Sequence, residues 1–239
     1  MSPSAGRIRA VLFDMDGTLV DTLPDIAVAV NAALRDLDLP ALEAARVAAL
    51  IGNGPRVLSR RALEAQPALD ARRREQLVEP LLAGYARHYA TQAGTLGRAF
   101  PGALECLHEL SARGLALGVV TNALQHLGET VLARFGIAPL LRVVIGGDRV
   151  ARPKPHPEPL WQACNVLDVA PHEALMVGDS INDVDAARAA GCAIVCVAHG
   201  YDQGQPVAAL GCDVLEDLAA LPAWIDAFEA RAVAADANR

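Results

Sequence analysis

The sequence predicts an α/β protein: a doubly wound, Rossmann-like core on a parallel sheet, with an all-helical cap inserted into it. Two observations carry that prediction. Short, wholly apolar runs alternate with segments of helical spacing through most of the chain, the pattern of strands covered by helices on both faces. One long interval, residues 23–95, contains no such run and shows only Ala-, Leu- and Arg-rich helical periodicity.

The first apolar run, residues 8–13, ends in acidic residues and reads as the opening strand. The helical interval follows it directly, broken by Pro40, by Gly52-Asn53-Gly54 and by Pro67. Its outgoing hinge is placed near residues 20–24, and the small, polar stretch 91–97 supplies the return. This gives a catalytic core of residues 1–20 and 97–239 and a helical cap of residues 21–96. Beyond the return, strands are predicted at residues 115–120, 143–145, 175–177 and 193–197. Helices are predicted at 103–112, 127–135, 159–167 and 184–190, with Gly114 and Gly191 where helix C-caps belong.

Composition narrows the partners. The 239 residues are 53% hydrophobic and 21% charged, and 21 Lys+Arg against 28 Asp+Glu leave a net charge of −7. That balance gives no general attraction to nucleic-acid phosphates or an anionic membrane surface, so neither is expected as a partner. No stretch reaches the roughly 18 to 20 apolar residues of a membrane span, and residues 1–10 lack the apolar core of a signal peptide. The five cysteines form no CxxC pair and read as small buried hydrophobes in a reducing compartment. A cytoplasmic protein, monomeric or homodimeric, is expected.

The chemistry is carried by polar residues at strand ends. In "VLFDMDGTLVDT", Asp14 and Asp16 are two apart on an extended backbone and face the same side. They lie at the carboxyl end of the first strand, where open α/β sheets bind ligands. Two carboxylates this close favour either a bound cation or one retained proton. In "MVGDSINDVDAARAAG", Asp179 and Asp183 are four apart, either as caps of a helix or as a second carboxylate pair. If all four converge, an oxygen-only donor set suits a hard ion such as Mg²⁺. Thr121 and Asn122 place a hydroxyl and an amide at another strand end, suited to phosphate oxygens. Lys154 lies between Pro153 and Pro155, which restrict its backbone and pre-organise its ammonium.

In chain order, these pieces resemble the haloacid dehalogenase superfamily of phosphohydrolases over nearly the whole chain, and the helical insertion resembles that superfamily's helical type of cap. The resemblance implies that Asp14 is the nucleophile and Asp16 the general acid/base. It implies that Thr121 and Lys154 bind the phosphoryl group, with Asn122 beside them. Mg²⁺ would be held by Asp14, the Asp16 backbone carbonyl and Asp179, with Asp183 supporting them directly behind or through water. Asp16 is missing in the dehalogenase branch, and residues 23–95 contain no lysine for the Schiff base of the phosphonate hydrolases.

The segments "IGNGPRVLSRRAL", "RPKPHPEPL" and "GYDQGQPVAALGCDVL" are similar to those of bacterial phosphoglycolate phosphatases. The implied function is Mg²⁺-dependent hydrolysis of a small phosphorylated metabolite, 2-phosphoglycolate to glycolate, through an aspartyl-phosphate. The alternatives are a phosphatase for another small sugar or sugar-acid phosphate and a phosphomutase of the same fold. Candidate substrate readers in the cap are Asn53, Gly54 and Arg61, although Pro55 and Arg56 depart from the family's pattern. Arg56, Arg60, Arg61 and Lys154 are expected to make a locally basic mouth. Tyr201 and Asp202 are candidates for bordering the site.

Overall fold

The computed structural model describes residues 7–201 and 206–237. The chain opens with β1 (Ala10–Phe13), β2 (Val20–Asp21), α1 (Leu23–Arg35), α2 (Ala44–Ala48), α3 (Pro55–Glu64), α4 (Ala71–Gln92) and β3 (Arg98–Ala99). It continues through α5 (Ala103–Ala112), β4 (Ala116–Val120), α6 (Gln125–Arg134), β5 (Val143–Ile145), α7 (Glu158–Leu167) and β6 (Ala174–Gly178). It ends with α8 (Ile181–Ala190), β7 (Ala193–Val197), β8 (Asp213–Leu215) and α9 (Leu221–Ala237).

A six-stranded parallel sheet in the order β5-β4-β1-β6-β7-β8 forms the core. Every residue of β1, β4 and β6 is buried, as expected of strands with helices on both faces. The register fixes the site: Phe13 pairs with Val119 on one side and Val177 on the other. The residues that follow these three strands therefore leave the sheet at one edge, beside the strand-order reversal around β1.

Three short strands escape the sequence pattern. β8 has only three residues at the sheet edge, and β2 and β3 form a two-stranded antiparallel ribbon of two residues each. Runs that short carry no period to detect. The ribbon joins core to cap, pairing Val20 with Ala99 and Asp21 with Arg98, so the chain crosses out and back side by side.

Between the two crossings α1 to α4 pack together, α1 and α3 both lying on the long α4 through an apolar set that includes Val30, Leu34, Leu63 and Leu81. The return crossing is tied to α1 by a single side chain. Asp25 is fully buried and accepts the backbone N–H groups of Thr95, Leu96 and Gly97 together with the Thr95 hydroxyl. Asp25→Ala leaves those donors without their acceptor and is expected to cost about 3 kcal/mol of stability. The measurement is the shift in the urea midpoint, and an unchanged midpoint would show that the crossing does not depend on this carboxylate.

Candidate active site

The backbone N–H of Asp14 bonds the Val177 carbonyl at 2.8 Å, the last rung between β1 and β6. Beyond it the chain folds back, with Leu19 and Val20 both bonding the Met15 carbonyl at 3.0 Å. Gly17 has φ +90°, and a Cβ there would overlap the Asp179 carboxylate. This turn buries Met15 and leaves Asp14 and Asp16 on the site side.

Lys154 is 3% exposed, and its Nζ lies 2.9 Å from Asp14 Oδ1 and 2.7 Å from Asp183 Oδ1. Asp183 plays both roles that its spacing left open. Its Oδ2 accepts the N–H groups of Asp179 and Ser180, at 3.2 and 3.1 Å, and the Ser180 hydroxyl at 2.9 Å, capping α8, while Oδ1 holds the ammonium. Asp179 accepts the Thr18 hydroxyl at 3.1 Å and the Tyr201 N–H at 2.6 Å. Asp16 accepts the Thr22 hydroxyl at 2.6 Å. Thr121 Oγ1 accepts the Ala123 N–H at 3.1 Å, which leaves its hydroxyl hydrogen free to donate into the site.

The charges do not balance. Asp14, Asp16, Asp179 and Asp183 face one ammonium. Burial, reinforced by Asp183 and Asp16 and only partly offset by Lys154, pushes Asp14 up to about 7. Burial raises Asp179 well above the ordinary carboxyl range, helped by Asp14 and Asp183, and burial also raises Asp16. Burial pulls Lys154 down, but Asp14 and Asp183 outweigh it and hold the ammonium protonated. Asp14, Asp179 and Asp183 each offer an oxygen within 4.8 Å of the others. An excess of buried negative charge with an oxygen-only donor set fits a hard divalent cation such as Mg²⁺.

The cap closes over this cluster. The Gly52 carbonyl accepts the side-chain amides of Asn122 at 2.8 Å and Asn182 at 3.2 Å, and Asn53 Nδ2 donates to Asn182 Oδ1 at 2.9 Å. Gly54 has φ +81°, and a Cβ there would sit 2.8 Å from the Asn122 carbonyl. What remains is a cavity of about 40 Å³, walled by Asp14, Asp16, Thr121 and Asn122 below and by Ile26, Ile51, Gly54, Leu58 and Tyr85 above. A larger groove of about 400 Å³ runs along the outer side of the same cap loop, past Asn53, Arg56 and Asp148, and is lined by none of Asp14, Asp16, Asp179 and Asp183.

The structure thus brings together Asp14, Asp16, Thr121, Lys154, Asp179 and Asp183, with Asn53 and Gly54 at the rim. Three sequence expectations need correction. The Asn122 side chain is not a phosphate donor here, because both hydrogens of its amide are used on the Gly52 and Lys154 carbonyls, at 2.8 and 2.9 Å. Arg61 does not line the cavity; its guanidinium donates to the Leu50 carbonyl at 3.4 Å. The basic mouth is also absent among the described residues, because Arg56 pairs with Glu79 and Arg60 with Glu75, acids that α4 presents to α3.

Sequence reasoning missed Tyr85, which has only helical apolar spacing to mark it. It left open the place of Tyr201, whose hydroxyl joins Asp21 Oδ1 at 2.8 Å to the Leu23 N–H at 2.9 Å. Asp202 lies outside the described residues.

A parallel α/β core whose strand ends hold clustered carboxylates and a buried lysine under a helical cap defines a capped hydrolase. Residues 11–197 match the haloacid dehalogenase-like hydrolase family, and the chain belongs to that family. It is 46% identical over 220 residues to the plasmid phosphoglycolate phosphatase of Cupriavidus necator, covering 90% of this chain and 92% of that one. It is 37% identical over 208 residues to phosphoglycolate phosphatase of Thiobacillus denitrificans, covering 87% and 91%. A crystal structure described as a predicted phosphoglycolate phosphatase from Haemophilus somnus superposes with a TM-score of 0.84 at 34% identity, covering 91% of this chain and 97% of that one.

The raised carboxyls set a pH dependence. Asp14 titrates near 7 in the folded, metal-free protein against an ordinary 3.8, so the folded state holds a proton that the unfolded chain has lost, and this group's contribution to stability falls as pH rises across that window. A cation bound by these carboxylates would replace that proton. The rise in melting temperature produced by Mg²⁺ is therefore expected to grow between about pH 5 and pH 8. Thermal melts with Mg²⁺ and with chelator test it, and a Mg²⁺ effect that shrinks with pH would contradict the assignment.

Proposed function

We propose that this chain is a Mg²⁺-dependent phosphoric monoester hydrolase that converts 2-phosphoglycolate to glycolate and phosphate through an aspartyl-phosphate on Asp14. The observation that carries the reading is the Asp14–Lys154–Asp183 contact, at 2.9 and 2.7 Å, with Asp16 on the same side beneath the closed cap. The substrate is favoured by the small cavity, about 40 Å³, and by the likeness to proteins named phosphoglycolate phosphatase.

Mg²⁺ held by Asp14, Asp179 and the Asp16 carbonyl, with Asp183 behind them, would supply the positive charge that lets a carboxylate meet an anionic phosphoryl group. An Asp14 oxygen attacks phosphorus and the bond to the ester oxygen breaks. Asp16, whose carboxyl burial raises above the ordinary range, gives a proton to that departing oxygen, and glycolate is released. Asp16, now a carboxylate, takes a proton from water. The resulting hydroxide attacks phosphorus, the bond to Asp14 breaks, and phosphate leaves. Lys154 and the Thr121 hydroxyl hold the phosphoryl oxygens. The cap excludes bulk water during the first transfer. The reading places the enzyme in the cytoplasm, where its free cysteines stay reduced.

Phosphate release from a panel of small esters tests this reading. 2-Phosphoglycolate is expected to be the best substrate, with release abolished by chelator and reduced by about a thousandfold or more in Asp14→Asn. Asp16→Asn is expected to slow an ester with a poor leaving group far more than 4-nitrophenyl phosphate, whose departing oxygen needs no proton. Undiminished release in Asp14→Asn would refute the aspartyl-phosphate, and a different best ester would refute the substrate.

A further inference from the structure

We infer that Tyr85 is the residue by which the cap reads the substrate, its hydroxyl and the N-terminus of α3 together binding the carboxylate of a two-carbon phosphorylated acid without an arginine. The inference rests on the phosphatase reading above. The cap's side of the cavity is hydrocarbon at Ile26, Ile51, Pro55 and Leu58 and backbone at Gly52 and Gly54. Tyr85 is the one cap residue lining it that carries a hydrogen-bonding side chain.

Two independent features point that side chain at a ligand. Tyr85 is only 6% exposed, yet its hydroxyl has no hydrogen-bond partner among the described residues. A buried phenol normally finds one, and an unmet donor beside a cavity is a place for a ligand oxygen. The second feature is α3, ten residues long, which starts at the cavity wall with Gly54 as its N-cap, no capping side chain and Pro55 in its first turn. Its leading N–H groups and its dipole favour an anion there.

The ring cannot easily swing away. It stacks on Tyr89 with centroids 5.4 Å apart and planes 19° apart. Burial, reinforced by the charges of Asp16 and Asp25, keeps the phenol protonated and hence a donor. The cap's nearby guanidinium groups are engaged elsewhere, Arg56 with Glu79, Arg60 with Glu75 and Arg61 with the Leu50 carbonyl. A neutral donor and a helix end against apolar walls select a short acid, because a single phenol cannot serve the several hydroxyls of a longer sugar phosphate.

The test measures binding apart from turnover. Calorimetry with Mg²⁺ compares 2-phosphoglycolate with ethyl phosphate, which lacks the carboxylate, on Asp14→Asn and on Asp14→Asn/Tyr85→Phe. The single variant is expected to prefer 2-phosphoglycolate. Tyr85→Phe is expected to weaken that ligand by about tenfold and leave ethyl phosphate unchanged. Asp14→Asn/Tyr89→Phe, which alters the other ring of the stack, is expected to keep the preference. Equal weakening of both ligands, an undiminished preference in the Tyr85 variant, or no preference in Asp14→Asn alone overturns the inference. Failure of the phosphatase reading shows separately, as no phosphate release from either ester by the unmutated chain.

Discussion

The ammonium of Lys154 holds the site together. It is buried between Asp14 at the end of β1 and Asp183 in the first turn of α8, and its own segment follows β5. A buried charge without partners is among the costliest things a fold can contain, and buried carboxylates facing one another are nearly as costly. Each resolves part of the other's cost. What the lysine leaves over is a surplus of acidic groups, and Asp14, Asp179 and Asp183 each offer an oxygen close enough to share one divalent cation, which is the basis of the proposed metal site. The same imbalance thus makes the metal-free core electrostatically strained and prepares it for ligand.

The cap turns this charged strand-end site into a closed chamber. Closure depends on a few polar struts, chiefly the Gly52 carbonyl bonded by Asn122 and Asn182. Asn53 Oδ1 and Asn122 Oδ1 are buried at the same seam without partners among the described residues. Unpaired buried acceptors cost about 1 to 3 kcal/mol each, so the closed seam is held far less firmly than the sheet beneath it. The Asp25 clamp and the β2–β3 ribbon instead hold the two crossings as one unit, so that cap and core stay registered where the chain passes between them.

Much of this was legible in the amino-acid order. Apolar runs ending in polar residues marked β1, β4, β5, β6 and β7, because strands buried on both faces need continuous hydrophobic sequence. Asp14 and Thr121 were legible because each directly follows such a run, Asp16 and Asp179 because they lie in the polar turn just beyond one, and Lys154 because prolines flank it. The two-residue β2 and β3 had no period to read, and the three-residue β8 opens on Asp213 and so shows no wholly apolar run. Tyr85 was hidden because a tyrosine on an apolar helix face looks like core, and Asp25 because its partners lie about seventy residues away.

Sequence by itself therefore determined the alternation of strands and helices, the inserted helical segment and the chemical types gathered at the strand ends. These depend on local periodicity and on which residue follows which. Only the tertiary structure decided the pairings: that Asn122 spends its amide on two carbonyls, that Arg56 and Arg60 are paired with acids of α4, and that Tyr85 meets the cavity. Hydrogen bonds and ion pairs are short-range and depend on which groups folding brings within about 3 Å, a distance unrelated to separation along the chain.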